Sequence, residues 1–417
     1  MALPNDFMRR MVRDTIALAI IDATCLRTVG AQVGVTPTSP DLGNRLQFSA
    51  GDTYTYDGNL FRIPSGAVVS GAEVVSRQDH INTVNLGIDG HYFGWRQEFD
   101  LSVRAAQNRF ARNESLNNVS GMGRFTWDWL IDSRLSGTAG YNFSRAQASF
   151  ANTFFFSKDL VETSDYFASG GLRLAQHWTL TAGIKATDVS HSAEQRRGDE
   201  FRSKTGNFGF RYNTSENNTL SANYSYTDAH FPMPGLLNDV EFDRSYKDRL
   251  EQLVLKYRLG GATQIDARAG YIERRYPGSH FGSFSGDTWR ATLTWAPTAI
   301  TQLSVAGWRE LTAYFDAESD YFVSRGGSAT VTWSPTLKIA LSASAVLNSQ
   351  RYISNTPSVL EFISRHDSLR TYQLTLSYAP RTPVTLGLSY RYDVRDSNQP
   401  RLGYVDRMAL ATATVRL

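Results

Sequence analysis

A period of two runs through this chain. Val384, Leu386, Leu388, Tyr390 and Tyr392 alternate with Thr385, Gly387, Ser389, Arg391 and Asp393. Ile265, Ala267, Ala269 and Tyr271 alternate likewise with Gln264, Asp266, Arg268 and Gly270, and Leu180, Ala182 and Ile184 with Thr179, Thr181, Gly183 and Lys185. Successive side chains of a strand point to opposite faces, so each segment has one apolar or aromatic face and one small, polar or charged face. A helical period of 3.6 is not sustained anywhere for long. Nor does any stretch approach the ~20 apolar residues that a membrane-spanning helix needs. The chain must therefore satisfy many one-sided strands, as a sandwich or as a barrel.

The connections decide between the two. Short turns centre near Gly94, Asp132, His177, Ser215, Gly261, Pro297, Pro335 and Arg381, each holding a few turn-forming residues. Long polar connections alternate with them: Arg109 to Asn117, Gln147 to Thr163, His191 to Arg202, Phe231 to Asp248, Pro277 to Gly286, Ala317 to Arg325, Ser349 to Asp367 and Asp396 to Leu402. From Gly94 to Arg381 is 287 residues over seven intervals, or 41 per interval. That length fits two strands of about a dozen residues, one tight turn and one long loop. From Arg45 to Leu417 is 373 residues, close to nine such hairpins. The expected fold is all-β, a transmembrane antiparallel up-and-down β-barrel of about 18 strands (16–20), with both chain ends on the short-turn side.

Aromatic residues make up 12% of the chain, and their placement supports the same reading. Trp95, Trp127, Trp129, Trp178, Trp295 and Trp333 lie within five residues of a short-turn centre, with Tyr212, Tyr257 and Tyr378 in matching positions. This predicts an interfacial girdle at one membrane boundary. A soluble β-sandwich does not sort its loops by length in this way. Closing the barrel also removes edge strands that lipid could not satisfy.

At the N-terminus, Arg9, Arg10 and Arg13 precede the apolar run Thr15 to Leu26, and Val29-Gly30-Ala31 follows with small residues before a cut after Ala31. That layout is a secretory signal with a degenerate core, interrupted by Asp22. The expected organisation is a leader over 1–31, a short periplasmic segment over 32–44 and the barrel over 45–417.

An 18-stranded barrel is too wide for side chains alone to fill, so its polar face lines water. The candidate pore-lining residues are Glu98, Asp100, Arg104, Arg124, Asp128, Lys185, Arg211, Asp266, Arg268, Arg290, Arg391 and Asp393. Only 6 of the 43 cationic residues are lysine. Planar guanidiniums suit carboxylates, for example on an acidic sugar, whereas cross-strand ladders that stiffen the wall use the same residues.

Catalytic signals are weak. Adjacent Asp79-His80 and His366-Asp367 point to opposite strand faces and cannot easily cooperate. Asp228 and His230 share a face at the start of a long loop and are the only pair worth naming. No catalytic residue is assigned. The single cysteine, Cys25, excludes internal disulfides and multi-cysteine metal sites. No metal-ligand spacing, phosphate loop or nucleophile elbow is present, so neither metal nor cofactor is expected. The net charge of +3 argues against a nucleic-acid binder.

The run Asp57-Gly58-Asn59-Leu60-Phe61-Arg62-Ile63-Pro64, behind the aromatic strand Gly51 to Tyr56, resembles the opening of the exosortase-associated EpsL-type exopolysaccharide export barrels of the β-barrel porin-2 group. Only Asp57, Asn59, Leu60, Phe61, Arg62 and Pro64 carry that likeness specifically. The resemblance implies a bacterial outer-membrane location and contact with outer-membrane lipid. It further implies a role in moving or anchoring an extracellular polysaccharide beside periplasmic export and polymerisation machinery. It carries no catalytic residues. Physically, Leu60 and Phe61 suit either a first loop packed into the lumen or an ordinary ordered hairpin loop. The leading expectation is a conduit or support for exopolysaccharide export; the alternative is a general diffusion porin for small polar solutes, and a barrel hydrolase stands behind both.

Overall fold

The structure is a computed structural model and describes residues 43–67, 74–152, 155–216, 218–237, 240–277, 283–316, 319–353, 365–399 and 402–417. The expected leader, and nearly all of the segment before Arg45, lie outside these residues. In chain order the strands are β1 (Arg45–Asp57), β2 (Asp79–Gly94), β3 (Gln97–Phe110), β4 (Asn118–Leu130), β5 (Leu135–Gln147), β6 (Leu160–Arg173), β7 (Trp178–His191), β8 (Phe201–Asn213) and β9 (Thr219–His230). Two short strands, β10 (Gly235–Leu237) and β11 (Val240–Phe242), form a hairpin of their own within a long connection. The wall continues as β12 (Tyr246–Leu259), β13 (Thr263–Arg275), β14 (Phe284–Thr298), β15 (Thr301–Asp316), β16 (Ser319–Thr336), β17 (Ile339–Ile353), β18 (His366–Arg381), β19 (Val384–Ser397) and β20 (Tyr404–Arg416).

Eighteen strands form one antiparallel sheet, every strand beside its chain neighbours, and β1 closes the ring on β20 from Ser49↔Arg416 to Asp57↔Met408. Both ends of the wall lie at the short-turn end: Phe48 and Leu417 exchange backbone hydrogen bonds of 2.8 and 3.0 Å there. The period of two becomes a division between outside and lumen. On β19, Leu386, Leu388 and Tyr390 are exposed on the outside while Gly387, Ser389 and Arg391 turn inward. Large apolar side chains are exposed in this way on strand after strand. A soluble monomer does not carry so extensive an apolar surface. The surface is a lipid-facing wall.

The short turns fall where the sequence places them, with one systematic offset. Three hairpins repeat an aromatic-x-Pro-x segment: Trp295-Ala296-Pro297-Thr298, Trp333-Ser334-Pro335-Thr336 and Tyr378-Ala379-Pro380-Arg381. At each of them the ladder register shifts. Proline has no N–H for a ladder and is confined to such irregularities. The chain reverses only afterwards, at 299–300, 337–338 and 382–383. The β2–β3 reversal needs positive φ at two consecutive residues, Trp95 (52°) and Arg96 (67°), the twist a two-residue hairpin prefers.

One expected long loop is mostly strand among the described residues. β15 runs to Asp316 and β16 begins at Ser319, so 319–325 is strand. The polar residues of this stretch still pair in the ladder.

Candidate functional site in the barrel lumen

All twelve candidate pore-lining residues turn inward. Glu98, Asp100 and Arg104 share the inner face of β3, and Arg124 and Asp128 that of β4. Lys185 on β7 ion-pairs at 3.0 Å with Asp165 on β6. Arg268 and Arg290 meet across β13 and β14, and both reach Glu310 on β15. Arg391 bonds Asp393, which also accepts from Thr371 at 2.6 Å. Asp266 lies below Arg268 and takes a 2.7 Å bond from Gln264. Arg211 is buried in the β8 wall.

These charges are sorted around the ring. On β1–β4 the inward carboxylates Asp57, Asp79, Asp89, Glu98, Asp100 and Asp128 outnumber Arg45, Arg104 and Arg124. On β12–β15 the cations Lys256, Arg258, Arg268, Arg274 and Arg290 outnumber Asp248, Asp266 and Glu310. Strand order sets the two arcs roughly half a circumference apart. An acid-rich wall therefore faces a base-rich wall.

At the long-loop end the connections fold inward. Asp57 accepts the backbone N–H of Asn59 at 2.9 Å, the two-residue reach that tightens an Asx turn. Asn59 then binds Ile63 O (2.9 Å) and, on β20, Val405 O (3.0 Å). Arg62, held at φ 56°, ion-pairs with Asp57 (3.1 Å) and Asp406 (2.9 Å). Burial works against its charge, but the two carboxylates outweigh that and raise its pKa above the ordinary arginine value. This knot presents Leu60, Phe61 and Ile63 to Phe110, Leu116 and Phe150, one apolar cluster built from three connections. Pro64 closes the knot by offering its carbonyl to Arg77.

Two further pins hold these loops. Asp79, fully buried, accepts the backbone N–H groups of His80, Ala111, Arg112 and Asn113 at 2.7–3.0 Å. Arg395 on β19, also buried, donates to Ala151 O in the β5–β6 connection and is clasped by Asp367, which Arg365 shares at 2.9 Å. Since β5 and β19 are far apart in the ring, that connection reaches across part of the lumen. Nothing in sequence spacing signals the Arg395–Ala151 contact. Behind it, Asp159 binds His191 at 2.7 Å and the Ala193 N–H at 3.2 Å. Burial alone would raise the Asp159 carboxyl, yet these bonds hold it below the usual carboxylate value.

The hydrolase candidates are placed apart from the lumen. Asp228 and His230 lie on the outer face of β9, with Asp228 opposite Lys204 and Lys247. They share a face, as expected, but it is the wrong one for a solute path. His80 likewise points outward to stack on Tyr54, while Asp79 points in.

The nine expected girdle residues are outside, at the short-turn end. Trp95 is 98% exposed on its turn, and Trp127, Trp178, Trp295, Trp333, Tyr257 and Tyr378 are exposed on the wall. Trp129 and Tyr212 are half-buried among them, Tyr212 against Trp178 at 5.1 Å. Trp308 is the exception among tryptophans: it turns inward and carries Arg290 over its ring at 4.8 Å.

A closed 18-stranded barrel, apolar outside and charged within, is an outer-membrane β-barrel of the porin fold. Comparison with known proteins agrees. Residues 255–417 match the family described as "Putative beta-barrel porin 2". That segment is less than half of the chain and lies beyond the 57–64 run. The crystal structure of Pseudomonas aeruginosa OccK2 (OpdF) is similar at TM-score 0.50 and 9% identity, covering 90% of this chain and 98% of that one. P. aeruginosa OccK3 (OpdO) follows at TM-score 0.48 and 11% identity, covering 91% and 98%, and OpdQ at 0.48 and 12%, covering 91% and 100%. At 9% identity the likeness to OccK2 concerns the fold alone. No curated protein sequence matches the chain.

Proposed function

We propose that this protein is a diffusion porin for small polar solutes, with its short turns in the periplasm and its long loops outside the cell. One observation carries the reading: inward-packed loops narrow a lumen whose acid-rich β1–β4 wall faces a base-rich β12–β15 wall. Opposed charges orient a passing dipole, and the guanidiniums of Arg268 and Arg290 offer planar donors to a carboxylate. A small carboxylate or zwitterion fits both walls at once. The aromatic girdle then marks the inner-leaflet boundary, and outer-membrane lipid is the partner of the outer wall. In planar bilayers the purified full chain should be open at rest and ohmic. A channel closed until a polymer or second protein is added overturns the proposal.

Exopolysaccharide export remains the second reading, and what favours it is the Asp57–Pro64 run. Those residues act here as a knot that narrows the lumen, which suits a small solute better than a threaded polymer. Deleting the gene separates the two readings. A porin leaves surface polymer unchanged, whereas loss of polymer with intact solute uptake favours export.

A further inference from the structure

Near the short-turn mouth, the β2–β3 hairpin brings three potential metal ligands together on the lumen face. His91 Nδ1 lies 2.9 Å from Asp100 Oδ1 and 3.8 Å from Glu98 Oε1, and the three ligand atoms fall within 4.8 Å of one another. Around a cation with bonds of about 2.1 Å, neighbouring ligand atoms sit about 3.0–3.4 Å apart, and the observed spacings bracket that range. The cluster is not closed off: the Asp100 side chain is 46% exposed, so lumen water reaches it.

A second observation points to a cation. Directly across the ladder from Glu98 stands Asp128, also facing inward and 1% exposed. Its Oδ1 accepts the Thr138 hydroxyl, but its Oδ2 has no hydrogen-bond partner among the described residues. Glu98 and Asp100 both lie within electrostatic range of that carboxylate. Like charges opposite each other on adjacent strands destabilise a sheet, and a buried carboxylate oxygen without a partner is costly. No cation bonds Asp128 Oδ2 among the described residues. Arg124 directs its Nε to Thr126 at 3.4 Å, and Arg45, opposite His91, makes no ion pair among the described residues.

We propose that His91, Glu98 and Asp100 form a binding site for a divalent first-row transition-metal ion, with Zn2+ the best match and Asp128 as its charge-balancing neighbour. An imidazole with carboxylates favours such a metal over Mg2+ or Ca2+, which take all-oxygen sets. Binding keeps the imidazole neutral: the metal takes Nδ1, and the ring's one proton resides on Nε2. The ion would add two positive charges to the acid-rich wall at the pore mouth. The site thus becomes a metal-sensitive control of ion selectivity.

The test titrates Zn2+ into the chelator-treated full chain, folded in detergent, by calorimetry, and repeats it for His91→Gln and Asp100→Asn. Heat-modifiable gel migration verifies that each variant is a folded barrel. We expect one Zn2+ site in the parent chain, weakened at least about tenfold in each variant, and at least about tenfold weaker binding of Ca2+. In bilayers, micromolar Zn2+ should lower cation preference in the parent and not in His91→Gln, with EDTA restoring it. Zn2+ binding that is equal in parent and folded His91→Gln overturns the proposal, as does Ca2+ binding as tight as Zn2+.

Discussion

Arg290 Nη2 lies 2.7 Å from Glu310 Oε2, and the other oxygen of that carboxylate is held by Arg268 at 2.6 Å. Arg268 and Arg290 are direct cross-strand neighbours, so Glu310 keeps two like charges together on the lumen wall. Glu310→Gln should therefore shift the reversal potential toward anion preference, because one negative charge leaves a base-rich arc. The loss of charged hydrogen bonds should also cost about 1–3 kcal/mol in urea unfolding. Arg268→Ala should shift selectivity the opposite way with a smaller stability cost, since Arg290 still satisfies Glu310. Reversal potentials and unfolding midpoints measured on the same preparations check both.

The Asp57–Arg62–Asp406 bridge makes a similar demand on the first loop. Removing the guanidinium strands two buried carboxylates, the costly way to break such a pair. Arg62→Ala should loosen the knot and give larger, noisier single-channel currents. Arg62→Gly should give the same currents with less loss of stability, because φ 56° is free of strain for glycine. Equal stability of the two variants would remove backbone strain from the account.

Asp159 predicts a pH dependence of definite sign. Its folded pKa is depressed, so the stability it contributes is fully present above the unfolded value of about 3.9 and is lost as pH falls through the folded value. The β5–β6 connection should accordingly be resistant to protease at neutral pH and become sensitive as the pH drops below about 4. A neutral-active protease at neutral pH and pepsin at acid pH, each with mass spectrometry of the cut sites, read this out. Asp159→Asn should show the acid behaviour already at neutral pH.

How far the sequence discloses this molecule depends on what each feature requires. Alternation and turn spacing are local, and they suffice for 18 strands, closure and the facing of residues such as Arg391 and Leu388. The aromatic-x-Pro bulges are visible in the sequence too, but a proline reads as the turn itself until the ladder shows the chain reversing two residues later. Polarity misleads at 319–325, because backbone pairing in a ladder does not require an apolar side chain at every position. The lumen contacts are the least legible. His91 meets Asp100 only through hairpin register, and Arg395 meets Ala151 only through the path of a distant loop. The facing of Asp228 and His230 was readable as shared but not as outward, since a strand's parity has no sign until its neighbours fix it.

Gly326 shows how packing within the wall bears on the lumen. A Cβ there would meet Leu347 O and Trp308 Cζ2, each at 2.5 Å. The carbonyl belongs to the β17 ladder and cannot retreat without breaking pairing, so Trp308 must move. Trp308 donates to Ser324 Oγ at 3.2 Å and supports Arg290 at 4.8 Å, the arginine that holds Glu310. Gly326→Ala should therefore cost about 1–3 kcal/mol from overpacking and shift ion selectivity in the direction of Glu310→Gln, although it changes no charge. Trp308→Phe relieves the clash while keeping a ring under Arg290. The double variant Gly326→Ala/Trp308→Phe should thus recover both stability and selectivity relative to Gly326→Ala. If the single variant lowers stability but leaves the reversal potential unchanged, Trp308 does not position Arg290.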